Sequence, residues 1–224
     1  MRVLAEEHKE HLREFFEKNT RYDAHLILFT QETKCNLCRN TRELLMELSS
    51  LSPKIRLEVY GILKDNEKAK YYEVDKVPCI AISGTKTYGI RFYGLPFGYE
   101  FNPLTESIVN VSKDSSNISE RSKIRLRSIP RSVHIEVFVT PTCPYYGMIA
   151  ELAYQFAIEN TMIRLNLVEI TEFPELAQKY NFVSVPKVVI NRKSEFIGAV
   201  PEDVFVEFIM TSVGMSSKSP QIYM

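Results

Sequence analysis

Cys35 and Cys38 are the residues whose type and spacing most directly suggest chemistry: they stand in Lys34-Cys-Asn-Leu-Cys38, with Asn and Leu between them. Before them, His25 to Thr30 is a short apolar run that reads as a buried strand. After them, Arg39 to Leu48 carries Leu44, Leu45 and Leu48 on one face of a helix. Cys35 is therefore expected at a strand-to-helix junction, where unpaired N–H groups and the positive end of the helix dipole favour thiolate over thiol. Lys34 adds to that effect. A thiolate is the species that attacks a disulfide. Cys38, one helical turn on, is near enough to displace a substrate from Cys35, and the spacing lets the pair close into a redox-active Cys35–Cys38 disulfide. The expected cycle is attack by Cys35, a mixed disulfide, and resolution by Cys38. A structural pair or a zinc site is the alternative, but zinc usually takes four ligands. Only Cys79 offers a third sulfur, which leaves a metal or iron–sulfur reading through Cys35, Cys38 and Cys79 as a rival. Cys79 more simply reads as a small buried filler.

The pair recurs in weakened form. Shifting the chain by 108 positions brings Cys35 onto Cys143 and Pro78 onto Pro186, so each cysteine lies at the same distance before its proline. The approach to the proline repeats as well: Ala69, Tyr72, Val74 and Val77 fall on Ala177, Tyr180, Phe182 and Val185. This pattern implies internal duplication. Pro78 and Pro186 each follow Val and precede an apolar strand, a place where proline cannot join a ladder. A cis X-Pro bond beside each cysteine is the expected explanation. It would free the Val77 and Val185 backbones to pair with an extended substrate peptide.

Elements must position these residues. The first half reads as a helix over 4–18, strands over 25–30 and 55–60, a helix over 64–72, a hairpin over 79–82 and 87–93, and a closing helix over 103–111. The second half reads as a strand over 133–139, a helix over 148–160, a strand over 164–169, a helix over 174–180, a hairpin over 187–191 and 195–197, and a helix over 201–210. The Ser-, Lys- and Arg-rich stretch 112–132 joins them, its centre capable of a helix through Ile118, Ile124 and Leu126, and the tail from Ser216 reads as disordered. Strands alternating with helices make this an α/β sandwich. His134, Glu136 and Glu169 lie on strands near Cys143. A buried carboxylate beside a thiol can move its proton; a strand-edge or interface charge is the simpler role.

Bulk properties narrow the function. The chain of 224 residues suffices for two units, each able to bury its own core. Formal net charge is zero and the pI is about 6.9, unlike a nucleic-acid binder. The 12 Tyr and 13 Phe read as core and interface. No apolar run approaches the length of a membrane-spanning helix. The N-terminus, Met1 to Thr20, is charged and lacks a secretory h-region, so the expected location is the cytoplasm.

Several stretches together resemble the archaeal protein disulfide oxidoreductases, glutaredoxin-like proteins with two thioredoxin folds: Arg91-Phe-Tyr-Gly-Leu-Pro-Phe-Gly-Tyr-Glu-Phe101, Val137-Phe-Val-Thr-Pro-Thr-Cys-Pro-Tyr145, Phe156-Ala-Ile-Glu-Asn-Thr161 and Val185-Pro-Lys-Val-Val-Ile190. The resemblance covers the chain from about position 1 to 212. It implies two tandem thioredoxin-fold units, each a mixed β-sheet flanked by helices, here 1–115 and 116–224. It also implies reduction, and in some members oxidation or isomerisation, of protein disulfides, with a thioredoxin reductase as electron donor for some members; no cofactor is expected. The family's second motif is normally Cys-Pro-Tyr-Cys; here it is Cys143-Pro144-Tyr145-Tyr146. The resolving cysteine is absent, leaving Cys143 a monothiol route at most. Tyr146 is expected to fill the vacated space and Tyr145 to shape a substrate surface with Val77, Pro78, Val185 and Pro186. From another class, the rival reading is a peptide-binding, chaperone-like module with a regulatory redox pair.

Overall fold

Strand alternation sorts the core. In β1 (Ala24–Thr30) the central residues Leu26 to Phe29 are all apolar, so both faces bury side chains: Leu26 and Leu28 join one hydrophobic cluster, Ile27 and Phe29 the other. The same division holds in β5 (Val133–Val139), with Ile135 and Val137 on the first face and Phe138 on the second. The structure is a computed structural model that describes residues 4–180 and 184–216. Phe182 of the repeat, and positions 217–224 of the tail from Ser216 that reads as disordered, lie outside the described residues.

The remaining strands are β2 (Ile55–Gly61), β3 (Cys79–Ser83), β4 (Thr87–Tyr93), β6 (Ile163–Glu169), β7 (Lys187–Ile190) and β8 (Ser194–Ile197). They form one mixed sheet in the order β2-β1-β3-β4-β6-β5-β7-β8. Within each set of four, the first two strands pair parallel and the other contacts are antiparallel. The two sets meet where β4 pairs parallel with β6, Gly89 opposite Arg164 through Tyr93 opposite Val168.

Helices cover both faces. Side chains of α1 (Glu6–Asn19), α2 (Cys38–Ser50), α4 (Phe101–Lys113), α6 (Tyr146–Glu159) and α8 (Glu202–Ser212) join the larger cluster. Ala69 of α3 (Asn66–Tyr71) and Leu176 of α7 (Pro174–Lys179) belong to the smaller one. The joining stretch does contain a helix, α5 (Glu120–Arg127), capped by Ser119, whose Oγ accepts the Ser122 N–H. It is tied to α8 by an Arg125–Glu207 ion pair at 2.6 Å.

The seam between β4 and β6 is polar on one face. Arg91, 4% exposed, donates to Asn166 Oδ1 at 2.7 Å and to the Tyr72 carbonyl at 2.9 Å, and pairs with Glu73 at 3.2 Å. Arg164 meets the same Glu73 carboxylate at 3.0 Å. On the other face α4 and α6 pack together, with Asn110 donating to Tyr154 Oη at 3.1 Å. The backbones come close because β4 offers Gly89 there: a Cβ on it would lie 2.5 Å from the Ile163 carbonyl oxygen. Gly89→Ala should therefore strain the seam and lower stability by about 1–3 kcal/mol, the usual cost of overpacking. Urea unfolding measures this; an unchanged midpoint would show that β4 and β6 can part without cost.

Candidate active site

Register assembles the site. Phe29 pairs with Cys79, so Thr30 stands beside Pro78; Cys79 pairs with Tyr93, so Pro78 stands beside Gly94; Tyr93 pairs with Val168, so Gly94 stands beside Glu169. Four chain segments thus meet side by side at one end of the strands, three from the N-terminal half and one from the C-terminal half. The Gly94 N–H donates to the Pro78 carbonyl at 3.0 Å. Gly94 has φ +107°, and a Cβ on it would lie 2.8 Å from Glu169 Cβ, so this crossing needs glycine twice over.

The turn after β1 carries the cysteines. Lys34 takes a left-handed φ of 59°, and its carbonyl accepts the Gln31 side-chain amide at 3.1 Å. Helix α2 starts at Cys38, not at Cys35, and the Leu37 carbonyl accepts both the N–H and the hydroxyl of Thr41. Cys35 therefore sits in the turn just before the helix, within reach of its N-terminal field. Cys35 and Cys38 are joined by a disulfide, with Cα atoms 5.5 Å apart. Cys38 is buried at 3% exposure while Cys35 is partly exposed, so one sulfur is reachable from solvent and the other lies behind it.

Cys35 opens into a cleft of about 870 Å³. Val77 and Pro78 form one side, and Leu95 and Phe97 of the β4–α4 loop another. Pro141, Glu169, Thr171 and Glu172 from the C-terminal half close it. The Val77–Pro78 and Val185–Pro186 bonds are both cis. The Val77 N–H and C=O make no backbone hydrogen bond among the described residues. The loop is latched to the C-terminal half at two points: Leu95 N–H donates to Glu172 Oε1 at 2.6 Å, and Tyr99 N–H to the Pro141 carbonyl at 3.3 Å.

The other expected residues form a second set. Phe138 pairs with Lys187, which brings Pro186 beside Val139 and the Cys143 turn, the relation Pro78 has to Cys35. Cys143 is a free thiol, 4% exposed. Tyr145 precedes α6 and is exposed; Tyr146, its first residue, is fully buried in the larger cluster. Val185, Pro186 and Tyr145 take no part in lining the Cys35 cleft. Glu136, weighed from the sequence as a proton shuttle for Cys143, faces the other way. It shares the face of Phe138 and accepts the Tyr180 hydroxyl at 2.6 Å, while Cys143 lies in the cluster on the opposite face. Cys79 points into the smaller cluster among Phe29 and Tyr93, and burial pushes its thiol up to about 12. It does not converge with Cys35 and Cys38, and no group of three or more His, Cys, Asp or Glu among the described residues could hold a metal.

Sequence reasoning passed over Glu100 and Glu172. Glu100, in the turn before α4, is 3% exposed with Oε1 unpartnered. Burial is the main cause that pushes it up to about 9, and the charges of Glu169 and Glu172 push the same way. Burial also raises Glu172, against the Leu95 N–H bond that lowers it. The Tyr146 hydroxyl is a second buried orphan, held protonated by burial and by Glu100. The one signal for Glu100 was its place inside the stretch 91–101 that carries the resemblance.

A thioredoxin-domain family model matches residues 133–211. A protein disulfide oxidoreductase from Aeropyrum pernix superposes with a TM-score of 0.90 at 29% identity, covering 99% of this chain and 98% of that one. An N-terminal domain of alkylhydroperoxide reductase from Enterococcus faecalis superposes at 0.85 with 24% identity, over 92% of this chain and 99% of that one. In sequence, the F component of alkyl hydroperoxide reductase from Staphylococcus aureus is 26% identical over 155 residues, 68% of this chain. The match spans 28% of that relative's length. The fold is thus thioredoxin-like: a central mixed sheet with flanking helices, similar along its whole length to a protein disulfide oxidoreductase.

Glu100 yields a stability test. An unfolded Glu titrates near about 4.3, so the folded protein prefers the neutral acid. The stability this gives is whole below the unfolded value and drains away as pH rises toward the folded value of about 9. Glu100→Gln, which stays neutral, should therefore gain on the parent between pH 5 and pH 9, by at most about 1.4 kcal/mol per pH unit. Denaturant midpoints of both proteins across that range measure it; parallel curves would show that Glu100 ionises in the fold without penalty.

Proposed function

From a chain whose fold and length match a protein disulfide oxidoreductase, we propose a thiol–disulfide oxidoreductase that reduces protein disulfides through Cys35 and Cys38. The observation that carries this reading is the partly exposed Cys35 joined to a buried Cys38 at the foot of a cleft. In the reduced enzyme the Cys35 thiolate attacks a substrate disulfide, forming a mixed disulfide and expelling one substrate thiolate. Cys38 then attacks the Cys35 sulfur. The second substrate thiolate leaves, and two electrons have passed from the enzyme dithiol to the substrate, leaving the Cys35–Cys38 disulfide. An external dithiol, or a thioredoxin reductase as donor, restores the enzyme. Val77 and Pro78 hold the substrate as an added strand.

We assign 1–115 and 116–224 to two thioredoxin-fold units, supported by the repeated strand order and the repeat at an offset of 108. The second, with Cys143, Tyr145, Val185 and Pro186, keeps the outline of a site but lacks a resolving thiol. No described helix is long and apolar enough to cross a membrane, and action in the cytoplasm completes the reading.

In an insulin reduction assay driven by dithiothreitol, Cys35→Ser should lose nearly all turnover and Cys143→Ser should keep most of it. A parent protein with no turnover above the dithiothreitol background would favour a peptide-binding module with a regulatory pair. Turnover that survives Cys35→Ser but is lost in Cys143→Ser would move the working site to the C-terminal half.

A further inference from the structure

The cleft beside Cys35 has one chemical peculiarity. Its far wall, from the C-terminal half, presents Glu169 and Glu172. Glu169 is satisfied by neutral donors, the Thr171 N–H at 2.9 Å and the Thr171 hydroxyl at 2.7 Å. Glu172 Oε1 takes the Leu95 N–H, while its Oε2 makes no hydrogen bond among the described residues. Behind them Glu100 is close enough to feel both charges, is 3% exposed, and has an oxygen with no partner. Among the described residues no Lys, Arg or His forms an ion pair with any of the three. Elsewhere this protein does pair its shielded charges, as Arg91 with Glu73 and Arg125 with Glu207. Glu169 and Glu172 without a cation, in the wall of a cleft that ends at a reactive disulfide and with the buried, unpartnered Glu100 acid close behind them, leave a positive charge to be supplied from outside.

We infer that the Cys35 cleft selects polypeptide segments carrying a Lys or Arg side chain near the disulfide cysteine, with Glu172 and Glu169 as the counter-charge. This rests on the oxidoreductase reading and names its substrate class. Lys34 lines the cleft at the Cys35 end, so a cation directly at the cysteine is repelled. The cationic side chain belongs a few positions along the chain, toward Glu172. Phe97, 62% exposed at the rim, gives the stem of a long Lys or Arg side chain an apolar surface to lie against. The C-terminal half, without a resolving cysteine, then contributes to the reaction by choosing what reaches Cys35.

The test traps the first step. In Cys38→Ser the mixed disulfide on Cys35 cannot be resolved within the motif. Three symmetric disulfide-linked peptides, identical except for Lys, Ala or Glu at the third position after the cysteine, compete at equal concentration for the reduced protein. Mass spectrometry counts the trapped products. The Lys peptide should exceed the Glu peptide by about tenfold in low salt, as expected for one partly screened charge pair, and the ratio should shrink in roughly 0.5 M NaCl. Glu172→Gln, which keeps an acceptor for Leu95, should bring the ratio to within about twofold. Equal trapping of all three peptides, or a ratio that survives Glu172→Gln combined with Glu169→Gln, overturns the inference while leaving the oxidoreductase reading standing. Trapping that persists when Cys35 is also replaced, or no trapping of any peptide, overturns both.

Discussion

The pairing of β4 with β6 is the constraint on which the rest of the molecule depends. Each set of four strands would otherwise end in an open edge, with unpaired N–H and C=O groups along β4 and β6. Parallel pairing there closes both edges and makes one eight-stranded sheet from a duplicated pattern. Its cost is a tight approach that only Gly89 allows, and its specificity comes from polar groups. The Arg91 guanidinium is buried, but its charge meets Glu73, and its N–H groups meet Asn166 and the Tyr72 carbonyl. A buried cation so partnered discriminates against slipped registers, because a shift of one residue would turn Arg91 into the apolar cluster on the other face. The α4–α6 contact on that face holds the same register from the opposite side.

Once that register is set, the chemistry at the cysteine end of the strands follows. Thr30, Pro78, Gly94 and Glu169 come into line, and the turn carrying Cys35 is placed opposite a wall it could not have built from its own half. The electrostatics of this end are opposed in sign. The start of α2 and Lys34 provide a positive field around Cys35, whereas the far wall presents Glu169 and Glu172, with Glu100 buried close behind them. Glu100 stays neutral because burial and its two acidic neighbours all disfavour its charge. Orphaned polar atoms on Glu100 and Tyr146 stand within the same region. Buried groups left unsatisfied in an otherwise well-bonded core are expected where function, not stability, fixes the residue.

Much of this could be read in the sequence, for reasons that differ by element. The bounds of β4 and β5 fall at the residues expected, because each is rich in β-branched and aromatic residues and ends against Gly, Ser or Thr-Pro turn chemistry. The helix inside the joining stretch was only partly legible: of Ile118, Ile124 and Leu126, the first precedes the helix, and of the two within it Ile124 is exposed and only Leu126 is buried, while Ser119 caps it as a serine before a charged first turn would. The helix expected over 39–48 runs from Cys38 to Ser50, so its start is legible to within a residue, whereas the left-handed Lys34 that shapes the turn before it is not a glycine and gives no local signal. Glu136 was open to correction from parity alone. It shares strand parity with Phe138, and both face away from the helix that follows Cys143. Glu100 and Glu172 had no such local signal. They meet across the seam from opposite halves of the chain, and a single sequence does not announce that convergence.

The C-terminal half carries Tyr146 at the position that falls on Cys38 at the 108-residue offset. Tyr146 occupies the first position of α6, and its ring lies fully inside the larger cluster, so core packing stands there where the first half has a thiol. With one cysteine this half closes no disulfide of its own, but its place in the molecule does not depend on one. Removing that half would bare the β4 edge, leave Arg91 without Asn166, and take away Pro141 and Glu172, the two groups that latch the Leu95–Tyr99 loop. The loop in turn carries Phe97 into the Cys35 cleft. The C-terminal half can therefore lack a dithiol of its own and still be indispensable to the Cys35 cleft, because it supplies one wall of that cleft and anchors the loop that forms another.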